Sequence, residues 1–304
     1  MLISIIIPNL NNAQRLKASL ASLEKEKGNL QPNQVEVVVV DNGSRDGSRK
    51  VAVMYNATLI VEERLRSPYL CRNRGILASK GKYIVLLDSN CVPKKGWLKA
   101  GIERLESDGN TSILTGPVEF EFSKEPSVAE RFDYLYSVVD ALDIPHRTAL
   151  PATHLFIKRS VFEHIGLFIS NVRSLGDIEW TRRAVTAGFN LGYCEAAKVS
   201  YPAKNWKAFF RKMFRLGRGT KEIWKATGKN LHSLSWYRMV IKTLLPPSPK
   251  FVKLMKSINR REGQRLSLLN LFLMCWLTKF LRGLGMILGK TLPEVHLESN
   301  AVKA

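Results

Sequence analysis

The sequence predicts an α/β fold: a doubly wound, mostly parallel sheet flanked by helices and followed by a basic helical extension. Three observations carry that expectation. Short β-branched apolar runs alternate with segments of helical periodicity from Leu2 to Leu87. The runs are nearly continuous in Ile, Val and Leu, as strands covered on both faces are. Positive charge is concentrated late in the chain: Pro202 to Arg265 holds 17 Lys and Arg against two acids, Glu222 and Glu262, so +15 of the net +21 lies there.

The elements follow in order. Leu2 to Pro8 and Val35 to Val40 (VEVVVV) read as buried strands, and Leu16, Leu20 and Leu23 between them fall at helical spacing. A helix around Asp46 to Tyr55, a strand at 57–62, a helix around Ser67 to Ser79 and a strand from Tyr83 to Leu87 continue the alternation. Strand character returns in TSILTG (111–116), and Ala129 to Leu142 is helix-like. PATHLFIK (151–158) reads as a strand leading into the short helix RSVFEHIG; Leu175 to Ala187 reads as a helix stopped by Gly188, before the strand NLGYCE. Asn205 to Thr227 looks helical, and PPSP (246–249) is a breaker and candidate linker.

In such sheets ligands bind beyond the carboxyl ends of the strands. Pro8 to Asn11, Asp41 and Asp88 would gather on that rim. No GxGxxG follows a strand, and GLGMILGKT (283–291) has Leu284 at the first glycine position of a P-loop, in a helical context. Cys71, Cys91, Cys194 and Cys275 are far apart and form no CxxC pair, so neither a disulfide framework nor a zinc site is indicated, and they read as reduced, mostly buried thiols. MLISIIIP lacks a basic leader and a long enough apolar stretch for a secretory signal, so a cytoplasmic protein is expected.

Six segments in order, SIIIPNLNN, VVVVDNGSRDGS, CRNRGI, LLDSNC, PATHLFIKRSVFEHIGLF and GDIEW, resemble the motifs of family 2 glycosyltransferases of the GT-A fold. The resemblance covers roughly residues 1 to 220 and implies a nucleotide-binding half (about 1–110), an acceptor half (about 111–220) and a separate tail at 221–304. It implies an inverting transfer with Asp177 as the base, where a single carboxylate is enough. Gly176 stands where the family usually has Glu, while Asp177 and Glu179 remain. The other reading of Asp177 is an acid complementing the first turn of a helix.

By the same resemblance Pro8, Asn11, Asp41, Arg72, Asp88 and Asn90 bind the nucleotide sugar, and Glu179, Trp180, Arg215 and Arg218 serve the acceptor side or the diphosphate. Asp41 could instead cap the turn of DNGSRDGS. Leu10 replaces a frequent aromatic. A divalent Mg or Mn is implied at Asp88 and Asn90. Asn90 replaces the main ligating acid, however, and Tyr201 stands about where the family often has a histidine. The expectation is therefore a diphosphate neutralised partly or wholly by protein cations, with Arg211, Lys212, Arg215 and Arg218 as candidates. His154 reads as structural.

The expected partners are a UDP-, GDP- or dTDP-linked sugar, a saccharide or lipid-linked acceptor and an anionic membrane surface. Nucleic acid is not expected, because no recognition module is present. Leu266 to Gly289 is the most apolar tail segment, interrupted by Lys279 and Arg282. An interfacial helix or a shallow hairpin is the first reading, with a tilted span or a helix docked on the core as alternatives. The protein is expected to be peripheral or anchored on the cytoplasmic face of the inner membrane.

Overall fold

The computed structural model describes residues 2–28, 34–141 and 148–295. Leu142, the last residue of one expected helix, lies outside them. The main sheet comprises β1 (Ile3–Asn9), β2 (Val35–Asp41), β3 (Thr58–Val61), β4 (Tyr83–Leu87), β6 (Thr111–Thr115), β8 (His154–Lys158) and β9 (Asn190–Tyr193). Their order is β3-β2-β1-β4-β8-β6-β9. β1 pairs in parallel with β2 and β4, whereas β8 runs antiparallel to both β4 and β6.

The apolar runs explain this layer. Ile3, Ile5 and Ile7 pack with Leu16, Leu20 and Leu23 of α1 (Ala13–Lys27) on one face. Ile6 packs on the other face with Ile76 of α3 (Pro68–Ala78) and Trp180 of α7 (Gly176–Thr186). That alternation is the two-residue period of a strand covered on both sides. The same face as α1 is covered by α2 (Ser48–Met54) and α4 (Trp97–Ser107). Leu98, Ile102 and Leu105 give α4 its helical spacing, in a helix that the expected alternation did not include.

A second sheet, β5 (Val92–Pro93), β10 (Val199–Pro202) and β7 (Val118–Glu121), stands beside the carboxyl end of β4. The short helix α6 (Arg159–Ile165) follows β8 as expected.

The extension comprises α8 (Trp206–Ala226), α9 (Leu234–Leu244), α10 (Pro249–Arg261) and α11 (Leu268–Leu288). The expected boundary at residue 220 falls inside α8. Phe132 of α5 (Val128–Ala141) joins Phe209, Met213, Met255, Ile258 and Leu271 in one core, so the extension shares its interior with the preceding half. PPSP is the turn before α10: Ser248 Oγ accepts the Phe251 amide and Pro249 opens the helix. α11 docks on α8 through glycines. A Cβ on Gly217 would lie 1.9 Å from the Arg282 carbonyl oxygen, and one on Gly285 would lie 2.1 Å from that of Phe214. Its opposite face leaves Leu269, Leu273, Trp276 and Phe280 exposed. Among the described residues α11 is the one helix long and apolar enough to cross a membrane by length and composition, and 39% of that span is buried inside the fold.

Candidate active site

The carboxyl ends of β1, β2 and β4 open on one rim, as the parallel pairing of these strands requires. At the β2 end the fully buried Asp41 carboxylate accepts the Ser44 amide at 3.0 Å and Arg49 Nε at 2.8 Å. Burial disfavours its charge, but these bonds outweigh it and hold the carboxyl below its ordinary value. Asn11 has φ 49° and donates its amide to Ser44 Oγ at 2.9 Å, while its own Oδ1 accepts the Arg45 amide. Asp41 and Asn11 thus hold the DNGSRDGS turn. Pro8 is buried in β1, and Asn9, next to it, carries a buried Oδ1 without a partner.

At the β4 end Arg72 donates to Asp88 Oδ1 at 2.6 Å and to the Ala152 carbonyl oxygen at 3.3 Å. Burial raises the Asp88 carboxyl above its ordinary value despite Arg72, with the nearby Asp177 charge adding to the rise. Arg72 lies 5.1 Å over the Tyr69 ring, and Tyr69 donates its hydroxyl to Asp177 Oδ1 at 2.8 Å. Asp177 Oδ2 accepts the Ala152 amide at 2.7 Å. Asp177 and Asp88 therefore belong to one connected cluster, Asp177 at the start of α7 and Asp88 at the end of β4. Tyr69 carries no expectation from the motifs, although its position one helical turn before Arg72 puts both on one face.

The remaining candidates separate. The indole of Trp180 is fully buried, stacked on Phe162 at 4.4 Å and donating to the Gly166 carbonyl oxygen at 2.8 Å, so it presents no face to an acceptor. Glu179 pairs with Arg183 at 3.0 Å. Lys212 pairs with buried Asp133 at 2.6 Å. Arg218 pairs with buried Glu222 at 3.2 Å, where burial lifts the Glu222 carboxyl to about 7. Arg215 is exposed, and its charge acts on Asp88 and Tyr201. Lys204, which the motifs did not mark, holds its ammonium 4.2 Å over the Tyr201 ring. Burial pulls Lys204 below its ordinary value, opposed by Asp133 and Asp88. His154 is structural: Trp97 Nε1 donates to its Nδ1 at 3.3 Å and its Nε2 faces the Gly116 carbonyl oxygen at 3.0 Å.

The oxygens at the end of β4 are Asp88 Oδ2, left by an Oδ1 that holds Arg72, and Asn90 Oδ1, which accepts the Cys91 thiol at 3.8 Å. Among the described residues no cluster of three or more His, Cys, Asp and Glu could hold a metal ion. Two oxygens fit a Mg or Mn that takes most of its ligands from a diphosphate and water, the usual habit of Mg at nucleotides.

The family model for glycosyl transferase family 2 matches residues 4–166. The chain belongs to that family. This glycosyl transferase family 2 chain is 29% identical over 267 residues to the glycosyltransferase AglE of Haloferax volcanii, covering 86% of each chain. It is 25% identical over 225 residues to a pre-mycofactocin glycosyltransferase of Mycobacterium tuberculosis, covering 68% of this chain and 46% of that one. Among solved structures, the mannosyltransferase PcManGT of Pyrobaculum calidifontis, in complex with GDP-Man and Mn2+, superposes with a TM-score of 0.60 at 15% identity, covering 94% of this chain and 86% of the other. Glucosyl-3-phosphoglycerate synthase of Mycobacterium tuberculosis, solved with Mn2+, UDP-Glc and phosphoglyceric acid, superposes with a TM-score of 0.54 at 14% identity, covering 75% and 80%. The family 2 chain thus has the GT-A fold.

Proposed function

We propose that the protein is an inverting glycosyltransferase that moves a hexose from a nucleotide-sugar donor to an acceptor hydroxyl, with Asp177 as the base. The observation that carries this reading is the joining of Asp177 to Asp88 through Tyr69 and Arg72 in one cluster. Asp41, Asn11 and Pro8 shape the nucleoside end, and Arg72, Asp88 and Asn90 the sugar and diphosphate end. The acceptor hydroxyl gives its proton to Asp177, and its oxygen bonds to the anomeric carbon. The bond from that carbon to the diphosphate breaks, and the electron pair leaves with the nucleoside diphosphate. The solved GT-A relatives with GDP-Man and UDP-Glc support a nucleotide-sugar donor.

Charge on the leaving diphosphate is met by Arg215 and Lys204, because Lys212 and Arg218 are committed to Asp133 and Glu222. A divalent ion, when bound, would be held by Asp88 and Asn90 and would supply further neutralisation there. Calorimetry with UDP, GDP and dTDP, each with and without Mn2+, tests donor class and metal together. Turnover that vanishes in EDTA and returns with Mn2+ would remove the part in which protein cations act alone.

The extension is read as a cytoplasmic-side membrane face that brings the enzyme to a lipid-linked or saccharide acceptor. Leu234, Tyr237, Ile241 and Leu245 form an exposed apolar stripe along α9, and Leu269, Leu273, Trp276 and Phe280 form another on α11. The stripes meet where Trp276 Nε1 donates to the Leu244 carbonyl oxygen at 3.1 Å. Arg238, Lys242, Lys250, Lys253 and Lys256 add cations suited to anionic headgroups.

A second reading, a catalytically weakened protein that binds a nucleotide or a partner, is favoured by Asn90, Gly176 and Tyr201. Donor turnover that is present in the wild type and lost in Asp177→Asn excludes it.

A further inference from the structure

We infer that Tyr69 is a positioning residue for Asp177, granted the base role proposed for that carboxylate, and that Gly176 precedes Asp177 because the Tyr69 ring fills the adjoining space. Tyr69 sits in the first turn of α3 with only 4% of its surface accessible. Its hydroxyl donates to Asp177 Oδ1 at 2.8 Å. The ring is held from several sides. Arg72 lies 5.1 Å from its centroid, and Phe168 is tilted against it at 5.8 Å. On the α7 side a Cβ at residue 176 would stand 3.0 Å from three of its carbons. A side chain there would therefore displace the ring or the helix start.

The consequence is a division of labour over the two oxygens of the base. Oδ1 accepts the Tyr69 hydroxyl and the Ile178 amide, and Oδ2 accepts the Ala152 amide. Side chain and backbone together fix the plane of the carboxylate, with one donor from α3, one from α7 and one from the segment before β8. Burial and the Asp177 charge push the phenol well above its ordinary value, so Tyr69 keeps its proton and stays a donor through the working pH range. Arg72 under the same ring holds Asp88, so displacement of Tyr69 disturbs the base and the donor-side acid together.

Tyr69→Phe keeps the ring and removes one charge-assisted hydrogen bond. Turnover is followed as nucleoside diphosphate release from the nucleotide sugar that matches the tightest nucleotide in the calorimetric screen. The expected result is a kcat lower by about 10- to 100-fold, with donor KM within about twofold of wild type. Gly176→Ala, which presses on the ring without touching its hydroxyl, should lower kcat in the same direction. An unchanged kcat in Tyr69→Phe overturns the inference. So does a fall in kcat accompanied by a donor KM raised well beyond twofold, which would mark a packing role. Asp177→Asn separates the two layers: wild-type turnover in that variant overturns both the base and its positioning, whereas an inactive Asp177→Asn beside a normal Tyr69→Phe overturns the positioning alone.

Discussion

Arg72 and Asp88 form a 2.6 Å ion pair at the end of β4, and the two members differ in accessibility, with side chains 5% and 34% exposed. The guanidinium also lies over the Tyr69 ring, whose hydroxyl holds Asp177. Removing Arg72 leaves a carboxylate that is one third exposed, so the cost falls below that of a fully buried pair. Arg72→Ala should destabilise the fold by about 1 to 2 kcal/mol, while Arg72→Lys should recover part of the stability without restoring donor affinity. Urea denaturation and nucleotide calorimetry on both variants check this. Equal donor binding in wild type and Arg72→Ala would contradict the role given to Arg72.

Much of this pair was legible in the sequence, since both residues stand in motif positions, CRNRGI and LLDSNC. Their joining to Asp177 was not. Tyr69 belongs to no motif, and its contact with Asp177 spans 108 residues and depends on how α3 packs against α7. The strands β1, β2 and β4 were legible because burial on both faces demands continuous apolar runs. The second sheet was not: β5 has two residues, and side chains alternate half-buried along β7. Trp180 shows the limit of motif reading most plainly. A position expected on the acceptor side is filled by an indole stacked inside the core. Arg218 is similar, because the buried Glu222 one helical turn later claims its charge.

The α8–α11 crossing leaves no room for a side chain at Gly217, where a Cβ would meet the backbone of Arg282 at 1.9 Å. Overpacking of this kind costs about 1 to 3 kcal/mol, and backbone cannot rotate away as a side chain can. Gly217→Val should lower the unfolding midpoint and increase proteolytic cutting around α11, whereas Lys207→Ala at an exposed site of the same helix should do neither.

His154 gives the fold a pH dependence of defined sign. Burial holds its imidazole down to about 4, against an unfolded value near 6.5. The unfolded chain therefore takes up the extra proton first. The contribution to stability is fully present above about pH 6.5 and is lost as pH falls toward 4, a difference of about 3 kcal/mol at the limit. Thermal melts between pH 7.5 and 5 should show this slope, and His154→Gln should flatten it whatever its effect on the absolute midpoint.

The apolar stripes of α9 and α11 lead to a binding prediction. Vesicles containing anionic phosphatidylglycerol should retain the protein at physiological salt, and Trp276→Glu combined with Phe280→Glu should reduce retention by about tenfold or more, since each charged side chain opposes interfacial insertion. Retention by DNA instead of vesicles would contradict the membrane reading of the basic segment.

The proposed role of Asp177 as the base of a sugar transfer is checked by comparing wild type with Asp177→Asn at saturating donor. Transfer or donor turnover should fall by about 10²- to 10⁴-fold, the range for loss of a general base, with nucleotide affinity preserved because Asp41, Arg72 and Asp88 are untouched. Wild-type rates in Asp177→Asn would rule out Asp177 as the base.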